Sequence, residues 1–572
     1  MDGFRTLAGV VLRQLVHHNV HRSSSAFRKH VRFMSSDPNE KWIMKAPFTV
    51  DIPTIPFTKY VFEAQESFAD KTAFVNGITH ESITHGEFRA LATRLGSALT
   101  RLDVTKGDVV AIVSPNCPEF AISFFAVSSI GAVNTTINCT YTADEVAQQL
   151  RNSGASAVIT HPLLLPIVKE ACKKYDGVRH IITNGPNNED LPTLQELLKD
   201  DGTAFPHNVK IDPKEDIVVL PYSSGTTGLP KGVMLTHHNM VSNMQQILHP
   251  FYNVIRPGST QEVLLGVLPF FHIYGMVVCM GLSLYVGAKM VTVPTFEPNL
   301  YVGTIKRYKT TILHTVPPIV SFLIHSDMVT PELLKSVHTL VCGAAPLGPA
   351  LVKEFNEKFG DGMNFQEGYG MTEASPVTHM TPVEAYKPGS TGVVIPNTMA
   401  KIVDLSTGET LGPGVEGELC IHGPQVMKGY YRNEKATQET IDKDGWLHTG
   451  DIAKMDENEN VYIVDRLKEL IKVKGLQVAP AELEDLLRRH PAVVDVAVIG
   501  LPDERAGEVP RAYVVLSPES DVTQDEIADY VAKEVAPHKR LLGGVCFTDK
   551  IPKSATGKIL RRELKAAALK SG

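Results

Sequence analysis

Twelve residues constrain this chain more than any others: Tyr222-Ser223-Ser224-Gly225-Thr226-Thr227-Gly228-Leu229-Pro230-Lys231-Gly232-Val233 packs hydroxyls, three glycines and one lysine into a single loop. Glycine admits backbone conformations that let successive N–H groups converge on an anion, hydroxyls donate without bulk, and the lysine adds one mobile positive charge. Such a loop suits phosphate, and a nucleoside triphosphate is the guest that best explains it. The spacing departs from the P-loop, in which Gly-Lys is followed by Ser or Thr. Here Lys231 precedes Gly232 and follows Pro230, which fixes its own φ and biases Leu229 away from helix, so the loop is not expected to run straight into a helix. A Ser/Thr/Gly-rich surface linker is the bland alternative. The apolar run Ile217-Val218-Val219-Leu220, a buried-strand pattern just before the loop, weighs against it.

At 572 residues and 43% hydrophobic composition the chain is too long for one core, so two or more domains are expected. Apolar strand-like runs such as Val109–Val113 and Ala157–Thr160 alternate with helix-like stretches such as Ile83–Leu102, which indicates α/β layers. The texture changes near Val461–Arg466. Beyond it Pro480–Arg489 reads as a helix, Val494–Ile499 and Ala512–Leu516 as strands, and Thr523–Glu534 as a helix with acids in its first turn. The expectation is a large multi-layer α/β domain over residues 37–465 and a small α+β domain over residues 466–572.

A net charge of −7 with no concentrated basic surface argues against general nucleic-acid binding. The seven cysteines form no Cys-x-x-Cys pair, which favours a reduced compartment and no structural metal. Residues 1–36 differ from the rest, with Arg5, Arg13, Arg22, Arg28, Lys29 and Arg32 against the single acid Asp2 and a Ser23–Ser25 cluster. That is transit-peptide chemistry, so mitochondrial import is expected; a disordered basic tail with the protein in the cytoplasm is the alternative. Residues 263–288 lack Asp, Glu, Lys and Arg, yet Pro269, His272 and four glycines interrupt them. They read as a buried strand, an active-site loop and a buried helix rather than a transmembrane segment.

Four further segments stand out in order: Glu367-Gly368-Tyr369-Gly370-Met371-Thr372-Glu373, Trp446–Asp451, Asp465–Gly475, and Pro552–Lys558. Together with the first loop they resemble the adenylate-forming superfamily of acyl-CoA synthetases, luciferases and peptide-synthetase adenylation domains, over about residues 45 to 565. Within it Gly417-Glu418-Leu419-Cys420-Ile421-His422-Gly423 is similar to the second signature box of 4-coumarate:CoA ligases. The resemblance implies the adenylate-forming fold with a mobile C-terminal lid. It also implies an acid–thiol ligase that uses ATP and Mg²⁺ to make an acyl-AMP and transfers the acyl group to coenzyme A.

The chemistry brings two anions together, since a carboxylate oxygen must attack the α-phosphate of ATP and expel pyrophosphate. Cations, oriented donors and exclusion of water are therefore required. Glu373 can hold Mg²⁺ through hard oxygens, Thr372 can donate to a phosphate, Tyr369 offers a flat face for adenine, and Asp451 suits the ribose hydroxyls with Arg466 nearby. The resemblance implies those same roles. It adds Ser223, Ser224, Gly225, Thr226, Thr227, Gly228, Lys231, Ala344, Glu367, Gly368 and Lys468 to the nucleotide site. By the same resemblance Lys558 bridges substrate carboxylate and α-phosphate, and His272 contacts the reacting carboxylate with Tyr274 and Val278 beyond it in the acyl pocket. A swing of the small domain about 465–468 then presents Lys472 for thioester formation, with Lys474 and Gly475 along the pantetheine path. Taken singly, each has a bland reading: Tyr369 a core aromatic, Asp451 a turn residue, His272 a satisfied core histidine, Lys558, Lys468, Lys472 and Lys474 solvated lysines.

Two positions depart from the plant ligases. Glu367 stands where Gln is usual, an unexpected charge near the adenylate, and Thr295 replaces a lysine thought to meet coenzyme A phosphates. The chain ends Leu569-Lys570-Ser571-Gly572 rather than in a peroxisomal Ser-Lys-Leu. A luciferase-like monooxygenase that oxidises the adenylate shares all five motifs and is the rival activity. The acyl substrate is expected to be an aromatic propenoate or a medium-chain fatty acid.

Overall fold

The computed structural model describes residues 41–571 except 188, 224–229, 256–260, 346, 384, 468, 474–475, 504, 519, 536 and 555–556. The basic leader, residues 1–36, therefore lies outside the described residues.

Two mixed sheets form the heart of the large domain. In the first, strands run in the order Gly429–Tyr430, Lys231–Thr236, Ile217–Val219, Val133–Thr136, Val109–Val113, Ala155–Thr160, His180–Thr183, with the short strand Tyr222–Ser223 pairing beside Lys231. In the second the order is Val393–Val394, Val377–Met380, Asn364–Gly370, Thr339–Cys342, Ile312–Thr315, Val263–Gly266, Lys289–Thr292, Thr72–Asn76, Ser82–Thr84. The central strands of both are parallel. All five residues of Val109–Val113 are buried, as a parallel strand covered on both faces requires. The helix Pro118–Ser129 is apolar almost all round and lies against both layers, with Phe124 and Phe125 in ring contact with Phe57.

The helix expected from Ile83 begins at His85. Ile83 and Thr84 belong to the strand Ser82–Thr84, and Thr84 is the N-cap: its hydroxyl accepts from the Glu87 amide while the Glu87 carboxylate accepts from the Thr84 N–H at 2.7 Å. The apolar segment 263–288 folds as the strand Val263–Gly266, a π-helical stretch Tyr274–Gly281 and the helix Leu282–Tyr285. Among the described residues no helix is long and apolar enough to cross a membrane.

An antiparallel sheet of Met44–Lys45, Met399–Val403, Gly417–His422, Leu447–Met455 and Val461–Arg466 flanks these layers, and its last two strands place Asp451 directly opposite Arg466. The remaining chain builds on a long hairpin, Val493–Asp503 with Gly507–Leu516, edged by Ile471–Val473 and Val545–Phe547. The helices Pro480–Arg488 and Gln524–Glu534 contribute to a separate core that includes Leu483, Val498, Val514 and Ile527.

Candidate active site

A cavity of about 1530 Å³ opens between the C-terminal edges of the second sheet and the small domain. It exceeds the roughly 300–1,000 Å³ of a single-ligand pocket, so it can hold more than one substrate.

At one wall the Tyr369 hydroxyl donates to Asp451 Oδ2 at 2.6 Å, and Arg466 Nε lies 3.2 Å from Asp451 Oδ1. Burial pushes the Asp451 carboxyl up against the pull of Arg466. Ala344, which also lines the cavity, adopts a left-handed φ of 68°, a strained state for a residue with a Cβ. Beside it a Cβ at Gly343 would lie 3.1 Å from Tyr274 Cε1, close enough that the Tyr274 ring would have to give way by a few tenths of an ångström. Gly368 completes that wall. Strand register sets Lys231 opposite Ser223 at the mouth of the hydroxyl-rich loop. Lys231 Nζ sits 4.8 Å over the Tyr430 ring, and the Tyr430 hydroxyl donates to Glu373 Oε1 at 2.9 Å. Thr372 and Glu373 form one turn on the same wall, so a carboxylate, a hydroxyl and an ammonium face one space.

His272 is surrounded by protein yet open to the cavity, and burial followed by the charge of Lys558 pulls its imidazole down to about 4. It is neutral at physiological pH, so it can donate one hydrogen bond without repelling a cation. The Tyr274 hydroxyl reaches His314 Nδ1 and the Val341 carbonyl, both at 3.3 Å, and Val278 lies one π-helical turn further in.

Lys558 arrives from the small domain on the turn that starts at Ser554, whose hydroxyl accepts from the Lys558 amide at 3.1 Å. Gly557 has φ +78°, and a Cβ there would meet Pro318 Cγ of the large domain at 3.0 Å, so the turn is docked edge-on against the other half. Burial, then Arg466, draws the Lys558 ammonium down to about 8, with Glu469 and Asp451 opposing.

Ser223, Lys231, His272, Tyr274, Val278, Ala344, Gly368, Tyr369, Thr372, Glu373, Asp451, Arg466 and Lys558 thus share one cavity. Lys472 does not reach it: the residue is exposed on the strand Ile471–Val473, its amide donating to Glu508 at 2.9 Å. Glu367 does not line the cavity either. It is buried behind the strand, where its carboxylate accepts from the Tyr386 hydroxyl at 2.7 Å and the Leu347 amide at 3.4 Å. Burial raises it to about 7. Gly368 and Tyr369, the next two residues of the same strand, do line the cavity. Thr295 is exposed. Ser224, Gly225, Thr226, Thr227, Gly228, Lys468, Lys474 and Gly475 lie outside the described residues.

Three contributors were not singled out from sequence. The Glu418 carboxylate takes His448 Nδ1 at 2.8 Å and the Gly450 amide at 3.0 Å, clamping the loop that carries Asp451. Cys420 Sγ at 3.5 Å and that carboxylate together raise the His448 imidazole to about 10. Arg561 is bonded to Glu469, to Glu484 at 2.7 Å and to the Val498 carbonyl at 3.1 Å, tying the Lys558 turn to the small-domain core. Glu418 and His448 stood inside noted motifs, but nothing in a linear motif pairs one with the other.

Comparison with known proteins agrees with this geometry. Residues 61–431 match the family model "AMP-binding enzyme" and residues 482–558 match "AMP-binding enzyme C-terminal domain". The chain is 42% identical over 521 residues to 4-coumarate–CoA ligase 1 of Arabidopsis thaliana, covering 89% of this chain and 91% of that protein. ATP-bound MatB from Rhodopseudomonas palustris is similar in structure with a TM-score of 0.81 at 27% identity, over 90% of this chain and 99% of that one. The anthranilate–CoA ligase AuaEII in complex with anthranoyl-AMP aligns with a TM-score of 0.81 at 26% identity, over 91% and 99%. A cavity that seats a lysine of one domain between the tyrosine, aspartate and histidine of the other, in a chain with these relatives, places this protein in the AMP-binding enzyme family as an AMP-forming acid–CoA ligase.

Proposed function

We propose that the protein activates an aromatic propenoate or a medium-chain fatty acid as its acyl-adenylate and passes the acyl group to coenzyme A, with the residue roles that follow. The observation that carries this reading is Lys558, delivered by the small domain into the cavity that also holds His272, Tyr369, Asp451 and Arg466. Adenine stacks on Tyr369 beside Ala344, and Asp451, held by Arg466 and Tyr369, accepts from the ribose hydroxyls. Lys231 and Thr372 grip the phosphates. The Glu373 carboxylate, with hard oxygens on the phosphate wall, fits Mg²⁺, which when bound neutralises phosphate charge. His272 and Lys558 hold the substrate carboxylate against the α-phosphate. A carboxylate oxygen forms a bond to the α-phosphorus, the bond to the β-phosphate oxygen breaks, and pyrophosphate leaves.

For the second step the small domain, residues 466–572, turns about 465–468, withdrawing Lys558 and bringing round the face that bears Lys472. The coenzyme A sulfur then bonds the acyl carbon, AMP departs with the carboxylate oxygen, and the thiol proton goes to solvent. Exposure of Lys472 is compatible with a residue that serves only the turned state. The basic leader, residues 1–36, is proposed to direct mitochondrial import, and a fusion of it to a fluorescent protein that stays in the cytosol would end that idea.

The test is pyrophosphate release over a panel of carboxylic acids, with and without coenzyme A. Mg²⁺- and acid-dependent release with a stable acyl-CoA product is expected. Light and carbon dioxide in place of acyl-CoA would reassign the protein as a monooxygenase, and no release with any acid would refute adenylation.

A further inference from the structure

On the strand pair that carries Asp451, the side chains of Glu418, Cys420 and His448 turn three metal-ligating atoms toward one point. Cys420 stands directly opposite His448 across the pair, and Glu418 precedes Cys420 by two residues on the same strand. Glu418 Oε2 lies 2.8 Å and Cys420 Sγ 3.5 Å from His448 Nδ1, and the three atoms all fall within 4.8 Å of one another. Among the described residues no other three histidine, cysteine or acidic side chains converge in this way.

The spacings are close to those around a tetrahedral zinc ion. With Zn–S of about 2.3 Å and Zn–N of about 2.0–2.1 Å, sulfur and nitrogen ligands stand about 3.5 Å apart, and nitrogen and oxygen ligands about 3.3 Å. The Cys420–His448 distance already has that value, and the Glu418–His448 contact has to open by about half an ångström as a metal replaces the shared proton. The outer partners are in place too. Glu418 Oε1 accepts from the Gly450 amide at 3.0 Å, which leaves Oε2 for the metal. Asp442 Oδ1 accepts from the Asp444 and Trp446 amides, each at 2.9 Å, and its Oδ2 lies 3.6 Å from His448 Nε2. A carboxylate there favours the tautomer whose Nδ1 is free for a metal. Lys401, paired with Cys420 on the other side, has its ammonium 4.3 Å over the Trp446 ring. Cys420 is fully buried while Glu418 and His448 line the cavity, so the ligand set is reached from the cavity side. Three protein ligands leave a fourth position for water, the pattern of an exchangeable ion rather than of a closed structural centre.

We propose that Glu418, Cys420 and His448 bind a thiophilic divalent cation, Zn²⁺ being the ion that fits, and that its binding lowers the affinity for ATP. A thiolate with an imidazole selects zinc over Mg²⁺, which prefers oxygen ligands. The metal forms bonds to Oε2, Sγ and Nδ1, the thiol proton and the Nδ1 proton pass to solvent, and no electron is transferred. The opening of the Glu418–His448 contact falls on the segment 448–451, because the same carboxylate holds the Gly450 amide next to Asp451. Binding of the ion is independent of the ligase reading; only its effect on ATP rests on that reading.

The experiment titrates the full-length protein, without nucleotide, with Co²⁺ as a spectroscopic probe and then displaces it with Zn²⁺. A thiolate-to-cobalt charge-transfer band that saturates at one equivalent and bleaches on adding Zn²⁺ is expected, and it is absent in Cys420→Ser. Asp442→Asn keeps the Oδ1 acceptor for the two amides and removes the charge behind His448. It should weaken cobalt binding by about tenfold, and it serves as the second variant if the first fails to fold. In ATP–pyrophosphate exchange, run with excess Mg²⁺ and without coenzyme A to compete for zinc, saturating Zn²⁺ should raise the KM for ATP by about three- to tenfold in the parent. No such rise is expected in Cys420→Ser. Absence of the band, a band that persists in Cys420→Ser, or unaltered affinity in Asp442→Asn overturns the metal site and leaves the three residues as a hydrogen-bonded clamp. The same rise in KM in parent and Cys420→Ser overturns the link to ATP while leaving the site. Absence of exchange with every acid overturns the ligase reading instead.

Discussion

Replacing Glu367 by Gln removes a carboxyl that the fold holds out of water, and the effect on stability has a computable pH dependence. In the native state Glu367 is 4% exposed and titrates near 7, against 4.5 for the ordinary carboxyl. Burial is the leading cause; the Tyr386 hydroxyl and the Leu347 amide only partly offset it. A raised carboxyl means the folded chain holds its proton more tightly than the unfolded chain. The contribution of this group is therefore fully present below pH 4.5 and is lost as pH rises through 7. At 1.36 kcal/mol per pH unit the loss over about 2.5 units is about 3.4 kcal/mol, incurred by the parent and not by the Gln variant. Near pH 5 the two should differ by less than about 1 kcal/mol, because Gln has the shape of the protonated acid and keeps the acceptor for Leu347. By pH 8 the variant should be the more stable by about 3 kcal/mol, a rise in melting temperature of a few degrees for a domain this large. Paired thermal melts of parent and variant at half-unit steps from pH 5 to 8.5 read it directly. A difference in melting temperature that is constant over that range, or that grows in favour of the parent, would refute the reasoning.

The remaining expectations concern the reacting groups and their support. Lys558→Ala should lower pyrophosphate release by about 10²–10³-fold while conversion of a supplied acyl-adenylate to acyl-CoA stays within a few fold; equal loss of both half-reactions contradicts the separation of roles. Because burial and Arg466 draw Lys558 down to about 8, it is a cation below that pH and loses its proton above it. The kcat/KM for adenylation should accordingly fall as pH rises past about 8, and Lys558→Arg should show no such limb between pH 7 and 9.5. Arg561→Ala strands Glu469 and Glu484 without their shared cation and should destabilise the small domain by about 3–5 kcal/mol, seen as faster limited proteolysis beyond residue 466 at unchanged resistance of the remainder.

Much of this arrangement was legible in the chain because its chemistry is local. The Lys231 loop, the Tyr369–Glu373 run, Asp451 with Arg466 and the Lys558 tip each carry their residue types within a few positions, and a strand or turn then aims them at one space. The boundary of the helix after Ile83 was misplaced by two residues because Thr84 is a cap, a role that depends on the reciprocal bond with Glu87 rather than on periodicity. Glu367 was assigned to the nucleotide although alternation along its strand sends it to the opposite face from Gly368. The Glu418–His448 clamp was invisible for a different reason: the partners lie 30 residues apart and meet only through the pairing of two strands. The lining of the cavity likewise arises from side chains of many segments and could not be read from any one of them.

Arg466 closes the strand that faces Asp451, and it is also the first residue of the proposed small domain. In the proposed cycle the ribose-binding pair and the joint are thus covalent neighbours. Rotation of the lid about 465–468 would load the guanidinium against Asp451 first, and departure of the nucleotide would in turn loosen the anchor from which the lid hangs. On that reading, timing between the two halves of the cycle is built into a single stretch of backbone, with no messenger needed between distant parts.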